Sequence, residues 1–181
     1  MSDFLNDDQK KFLLGLAREA VTAKIQTDRT IQAETKDAAL LAKRGVFVTL
    51  KVDGELRGCI GYPLPHKPLA KSVIEMAIAA STQDYRFESL TESDLGHLDI
   101  EISVLTLPRP VTDIHEVVVG KHGIIISKGS HKGLLLPQVP LEYNWDLETY
   151  LAHGCLKAGL AENEWKEGVT IEIFEAQVFS E

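Results

Sequence analysis

Residues 45–63 read GVFVTLKVDGELRGCIGYP, two β-rich runs separated by Asp53-Gly54. Asp-Gly between such runs signals a hairpin, because a tight two-residue turn needs positive φ at its centre. The stretch predicts an antiparallel hairpin, Val46 to Val52 against Glu55 to Ile60. A two-residue turn pairs Val52 with Glu55, Leu50 with Arg57 and Val48 with Cys59, and cross-strand partners share a face. In that register Arg57 and Cys59 lie with Val46, Val48 and Leu50, while Phe47, Thr49, Leu56 and Ile60 lie opposite. An arginine among valines must meet a carboxylate, a set of carbonyls or a ligand anion. Gly58 and Gly61 withdraw side chains beside it, so another backbone or a ligand can come close. Two readings stay open. Either LRGCIG (residues 56–61) is a site, or Arg57 makes a structural salt bridge at the sheet rim and Cys59 is a small core hydrophobe. A bulge near the turn would reverse the faces and remove the anomaly.

Working outward, helix and strand signals alternate. NDDQKKFLLGLAREAVTAKI predicts a helix capped by Asn6, with Gln9 completing a capping box and Phe12, Leu13, Leu16, Ala17, Ala20 and Val21 as its apolar stripe. A second helix is expected from Pro68 to Ala80, with proline in the first turn. LDIEISVL (98–105) alternates as a half-buried strand. TLPRPV (106–111) breaks regular structure, and a lobe junction is expected near residues 105–112. Beyond it come strands at GIIIS and GLLLP, a helix capped by Asp146 and ended by Gly159, and one final strand, VTIEIFEAQVF, whose apolar parity switches between Ile173 and Phe174. That switch predicts a bulge or burial on both faces. Both halves read hairpin, proline-bearing loop, helix, strand, the pattern of a degenerate duplication. The expected class is α+β with mainly antiparallel sheets.

Composition bounds the function. With 19 Lys plus Arg against 27 Asp plus Glu, the net charge is −8, which counts against nucleic-acid binding without a local basic patch. Two separated cysteines, Cys59 and Cys155, exclude a disulfide framework and suit a reducing, cytoplasmic setting. The acidic start has no apolar signal-peptide core, and no apolar run approaches the ~18 residues of a membrane span.

Several candidate sites remain. His153 and Cys155 are two apart on a helix, so they point about 200° away from each other and cannot chelate one ion together. No metal and no cofactor is expected. SKGSHKG (127–133) reads as a solvated hairpin turn, with a phosphate nest as the sharper alternative. DYRFESL (84–90) places Asp84 and Arg86 in a loop after a helix, as a structural brace or as part of a site.

The motifs GVFVTLKVDGELRGCIGYPLP, DYRFESLTESDLGHLDIEISVL, GKHGIIISKG and GLLLPQVPLEYNWDLETYLAHGCLKAGL, in that order, resemble the AMMECR domain family. Its prokaryotic members are called AmmeMemoRadiSam system protein A. Tyr85 stands where the family usually has proline, and Gly154 where it usually has a bulky residue. The resemblance implies one AMMECR-type domain over residues 1–181, with two unequal lobes around a cleft. It also implies genomic association with Memo-like and radical SAM proteins in many prokaryotes, which makes these the expected partners. It supplies no reaction, and so leaves open whether the protein is an enzyme. The first reading is small-molecule binding or catalysis in that inter-lobe cleft, with Cys59 as the candidate catalytic residue and Arg57, Asp84 and Arg86 as candidate substrate-binding residues. The alternative is an interaction module serving a Memo-like or radical SAM system.

Overall fold

The first helix begins where its capping chemistry places it. Asn6 Oδ1 accepts the Gln9 N–H and Gln9 Oε1 accepts the Asn6 N–H, both at 2.9 Å, and α1 runs Asp7–Thr27. The computed structural model describes residues 4–181. The buried stripe of α1 is Leu13, Leu14, Leu16, Ala17, Ala20 and Val21, so Leu14 takes the place expected for Phe12, which is exposed. A short helix, α2 (Ala38–Leu41), is capped by Asp37. The hairpin follows as β1 (Val46–Val52) and β2 (Glu55–Tyr62), then α3 (Leu69–Thr82), a 3-10 turn at Glu92–His97 and β3 (Leu98–Leu105). Next come β4 (Arg109–Val111), β5 (Gly123–Lys128), β6 (His131–Leu135), α4 (Val139–Glu142), α5 (Leu147–Lys157), β7 (Thr170–Phe174) and β8 (Ala176–Ser180). Among the described residues no helix is long and apolar enough to cross a membrane.

The chain divides into two compact units, one running to Leu105 and taking back Gln177–Glu181, the other Thr106–Ala176. Each holds a four-stranded sheet, ordered β2-β1-β3-β8 and β6-β5-β7-β4, and all assigned strand registers are antiparallel. Hairpin, helix and strand therefore recur in the same spatial order. In the first unit α3 covers β1 and β2, and α1 packs on α3. In the second α5 covers β6 and β5. The two sheets also share a packing device. A Cβ on Gly58 of β2 would stand 2.0 Å from the Ala80 carbonyl oxygen, and one on Gly133 of β6 would stand 2.4 Å from the Ala158 nitrogen. In both units the end of the helix rests on a glycine of the second hairpin strand.

Three sequence expectations are corrected. The expected final strand is two, β7 in one sheet and β8 in the other, with Glu175 between them. The apolar parity switches there because each strand answers to a different core. TLPRPV contains a short edge strand, β4, where Pro110 is tolerated because an edge position can lack a ladder donor. Most important, the hairpin register is not the expected one. Val52 faces Glu55 as predicted, but Leu50 pairs with Gly58, Thr49 with Cys59 and Val48 with Ile60, and the register shifts between Leu50 and Lys51. Arg57 is the extra residue of a β-bulge. The reason is packing. Val46, Val48 and Leu50 are fully buried, α3 lies close above β2, and only a residue without a side chain fits opposite Leu50. The bulge brings Gly58 to that position.

In the second unit His122 is buried, and its Nδ1 accepts the Val118 N–H at 3.0 Å. Burial pushes its pKa below the ordinary value, partly opposed by Glu175, whose Oε1 lies 3.7 Å from Nε2 and 3.4 Å from the Lys121 ammonium. The unfolded chain therefore takes the proton first, near pH 6.5, and stability falls as pH drops below that toward the folded value. We expect the denaturant midpoint to decline between pH 7 and 5. His122→Asn, whose Oδ1 can still accept from Val118, should flatten that decline. Parallel curves for the two proteins would remove His122 from the acid response.

Candidate functional site

The bulge decides what surrounds Cys59. Its register partner is Thr49, so it lies on the face of the sheet opposite Val48 and Leu50, and the residue is partly exposed. Thr49 Oγ1 donates to Cys59 Sγ at 3.2 Å. The two glycines beside it leave no open space, because Gly58 is filled by Ala80 and Gly61 by the Phe47 ring, 2.4 Å from an ideal Cβ. Of the two close approaches expected at these glycines, another backbone or a ligand, the first is met at Gly58 by the backbone of Ala80.

β2 is an edge strand, and the backbone of Cys59 turns outward to the loop after α3. Asp84 Oδ2 accepts the Cys59 N–H at 2.9 Å. Arg86 grips the same carboxylate in a fork, Nε to Oδ1 at 2.9 Å and Nη2 to Oδ2 at 2.7 Å, and Nη2 also reaches the Cys59 carbonyl at 3.3 Å. Acid and base together thus supply one acceptor and one donor to the strand edge, as a neighbouring strand would. The Arg86 fork holds the Asp84 carboxyl well below the usual carboxylate range, against the opposing effect of burial, with the Cys59 N–H adding to the fork. The Asp84 side chain is 3% exposed and that of Arg86 47% exposed. Tyr85 between them is 96% exposed.

Cys59, Asp84 and Arg86 therefore come together, and Arg57 does not stand with Cys59 as expected. Its Nη1 lies 3.6 Å from Asp94 Oδ1, in the 3-10 turn before β3. The cation beside Cys59 is Arg86. Sequence reasoning missed Thr49 because the assumed register put it on the other face. It missed Asp94 as the Arg57 partner although TESD carries a capping box, and Asp94 does accept from Thr91. Among the described residues no three His, Cys, Asp or Glu side chains are placed to hold a metal ion. His153 stacks on Trp145 at 3.8 Å, while Cys155 is buried, and burial pushes its thiol pKa up. The SKGSHKG segment is a two-residue hairpin turn whose Lys128 pairs with Glu164.

The AMMECR1 family model matches residues 14–179. A protein of Methanopyrus kandleri, MK0488, is 44% identical over 191 residues, covering 100% of this chain and 92% of its own. A protein of Methanocaldococcus jannaschii, MJ0810, is 43% identical, covering 96% of this chain and 90% of its own. The crystal structure of an uncharacterised protein of Pyrococcus horikoshii, PH0010, matches with a TM-score of 0.80 at 37% identity, over 98% of this chain and 93% of that one.

Proposed function

The chain belongs to the AMMECR1 family, and on that premise we propose that its first unit binds a small anionic molecule beside Cys59, with Arg86 as the anchor and the Cys59 thiol as the reactive group. The observation that carries this reading is the guanidinium of Arg86. It is oriented by the buried Asp84 carboxylate, bonded to the Cys59 backbone and still half exposed. Its Nη1 makes none of the described hydrogen bonds and is free to meet a carboxylate or phosphate, which an arginine fork recognises well. Thr49 holds the sulfur from the neighbouring strand. Asp84 acts as a positioning residue, and Arg57, engaged with Asp94, serves the strand edge. The two free thiols fit a reducing cytoplasm.

The test compares an anionic with a neutral alkylating reagent. Iodoacetate and iodoacetamide both react with the thiolate, but only iodoacetate carries a charge that a nearby cation attracts, so the ratio of their rates isolates that attraction. A unit charge at about 6 Å in water is worth ~0.7 kcal/mol, or about three-fold in rate. Arg86→Gln should therefore lower the iodoacetate-to-iodoacetamide rate ratio at Cys59 about three-fold. Cys155, buried in the second unit, should stay unlabelled by either reagent until the protein unfolds. An unchanged ratio, or a Cys59 inert to both reagents in the folded protein, would refute the reading.

A second reading rests on Tyr85. A tyrosine this exposed, beside a rigid Asp–Arg pair, is the kind of anchor that protein interfaces bury. In that case the unit docks a Memo-like or radical SAM protein. Tyr85→Ala would weaken that binding and leave Cys59 labelling rates untouched.

A further inference from the structure

The first unit also carries a concavity built from residues other than those around Cys59. After α1 the chain crosses residues 28–37 without regular structure before α2. Ile31 and Ala33 from this segment pack against the core. Between the segment and α3 lies a cavity of ≈ 460 Å³. Its apolar wall includes Ile31, Pro68, Ile74 and Leu41, the last 48% exposed. That volume falls within the roughly 300–1,000 Å³ of small-molecule sites, which pair an apolar lining with a few placed polar groups.

The polar groups stand along the rim. Glu75 Oε2 accepts from Tyr62 Oη at 2.9 Å and from Lys67 Nζ at 2.6 Å. Burial raises the Glu75 pKa, but these two donors outweigh it, and the carboxyl lies below its usual range. Glu75 is therefore already neutralised. Lys71 lines the cavity one helical turn earlier, is exposed, and makes no ion pair among the described residues. Lys67 stands outside the cavity lining and Lys71 also acts on Glu75, so two ammonium groups share one carboxylate at the edge of the apolar floor.

We propose that this cavity binds an aliphatic carboxylate, its chain lying on Ile31, Leu41 and Ile74 and its head group meeting Lys71. A cationic amphiphile would find no free carboxylate there, since Glu75 is occupied by Lys67 and Tyr62. A small polar anion would gain nothing from the apolar floor. The site shares no residue with the Cys59 site and stands independently of it.

The experiment is calorimetric titration of the intact chain with hexanoate, octanoate and decanoate, each kept below its micelle-forming concentration. Acetate serves as the head-only control and decyltrimethylammonium as the charge-reversed control. Each methylene buried is worth ~0.8 kcal/mol, so affinity should rise about three- to four-fold per added carbon until the cavity is full. Lys71→Glu should weaken decanoate about ten-fold, and Leu41→Asp should weaken it at least as much. Both positions are exposed enough for the variants to keep the parent circular dichroism and melting temperature. The proposal is overturned by no decanoate binding at millimolar concentration, by equal binding of decyltrimethylammonium, by acetate binding as tightly as decanoate, or by folded variants that bind decanoate like the parent.

Discussion

Gly58→Ala should destabilise the protein by about 3 kcal/mol, the upper end of the overpacking range. The added methyl would lie 2.0 Å from the Ala80 carbonyl oxygen and 2.9 Å from its carbon. These are backbone atoms of the last turns of α3 and cannot rotate away. Either α3 lifts from the sheet, exposing core around Leu50 and Ala80, or β2 gives up its bulge and turns Arg57 toward the core. Gly15→Ala is the matched control. An ideal Cβ there meets nothing within 4 Å, and the residue lies mid-helix on an exposed face of α1. Alanine should stabilise that helix by ~0.5–1 kcal/mol. Urea denaturation of the two variants should thus move the midpoint in opposite directions. A Gly58→Ala protein within about 1 kcal/mol of the parent would mean that α3 does not rest on this strand as described.

Asp84→Ala should cost about 2–3 kcal/mol and loosen the Cys59 strand edge. Two groups lose their partner. The part-buried Cys59 N–H loses its acceptor, and an unsatisfied donor costs up to ~1–3 kcal/mol. Arg86 loses its fork, a smaller loss because half of its side chain already faces water. The pH dependence separates charge from shape. The folded Asp84 pKa is depressed, so its contribution is complete above the ordinary carboxylate range near 4 and is lost as pH falls below about 4–5 toward the folded value. Asp84→Asn keeps the volume and lacks the charge. The stability gap between parent and Asp84→Asn should therefore narrow between pH 5 and 2, as read from urea midpoints. A gap independent of pH would mean that Asp84 acts through shape alone. Hydrogen exchange at the Cys59 amide should be faster in both variants, while the β1 amides bonded to β3 should keep their protection.

The Cys59 environment shows why site reading from sequence fell short where most element reading did not. The residues themselves were identifiable. Arg57, Cys59, Asp84 and Arg86 all stood out as chemistry in unusual places, and three of them meet. The pairing was misassigned because one bulge residue shifts every partner beyond it. The charge next to Cys59 then comes from a residue 27 positions away in sequence rather than two. Likewise, the parity switch at Phe174 was visible, but nothing in the local pattern says that the chain leaves one sheet for another at Glu175.

By itself the sequence determined what short-range interactions determine. The Asn6–Gln9 capping box, the Asp146 cap, the Asp53-Gly54 turn and the alternation of Leu98, Ile100, Ile102 and Val104 each act within a few residues, and each appears where its chemistry places it. From these follow the helices, the hairpins, the antiparallel pairing and the α+β class. Tertiary structure alone decided the register beyond the first turn, the division of the last strand, the partner of Arg57 and the meeting of the Asp84–Arg86 pair with Cys59. The reason is that a bulge is placed by the space available under a helix. Ala80 comes to lie over β2 only when α3 docks, so Gly58 must face it and Arg57 must be set aside. With Arg57 displaced, Cys59 turns to the outer face of the sheet, beside Thr49 and Arg86.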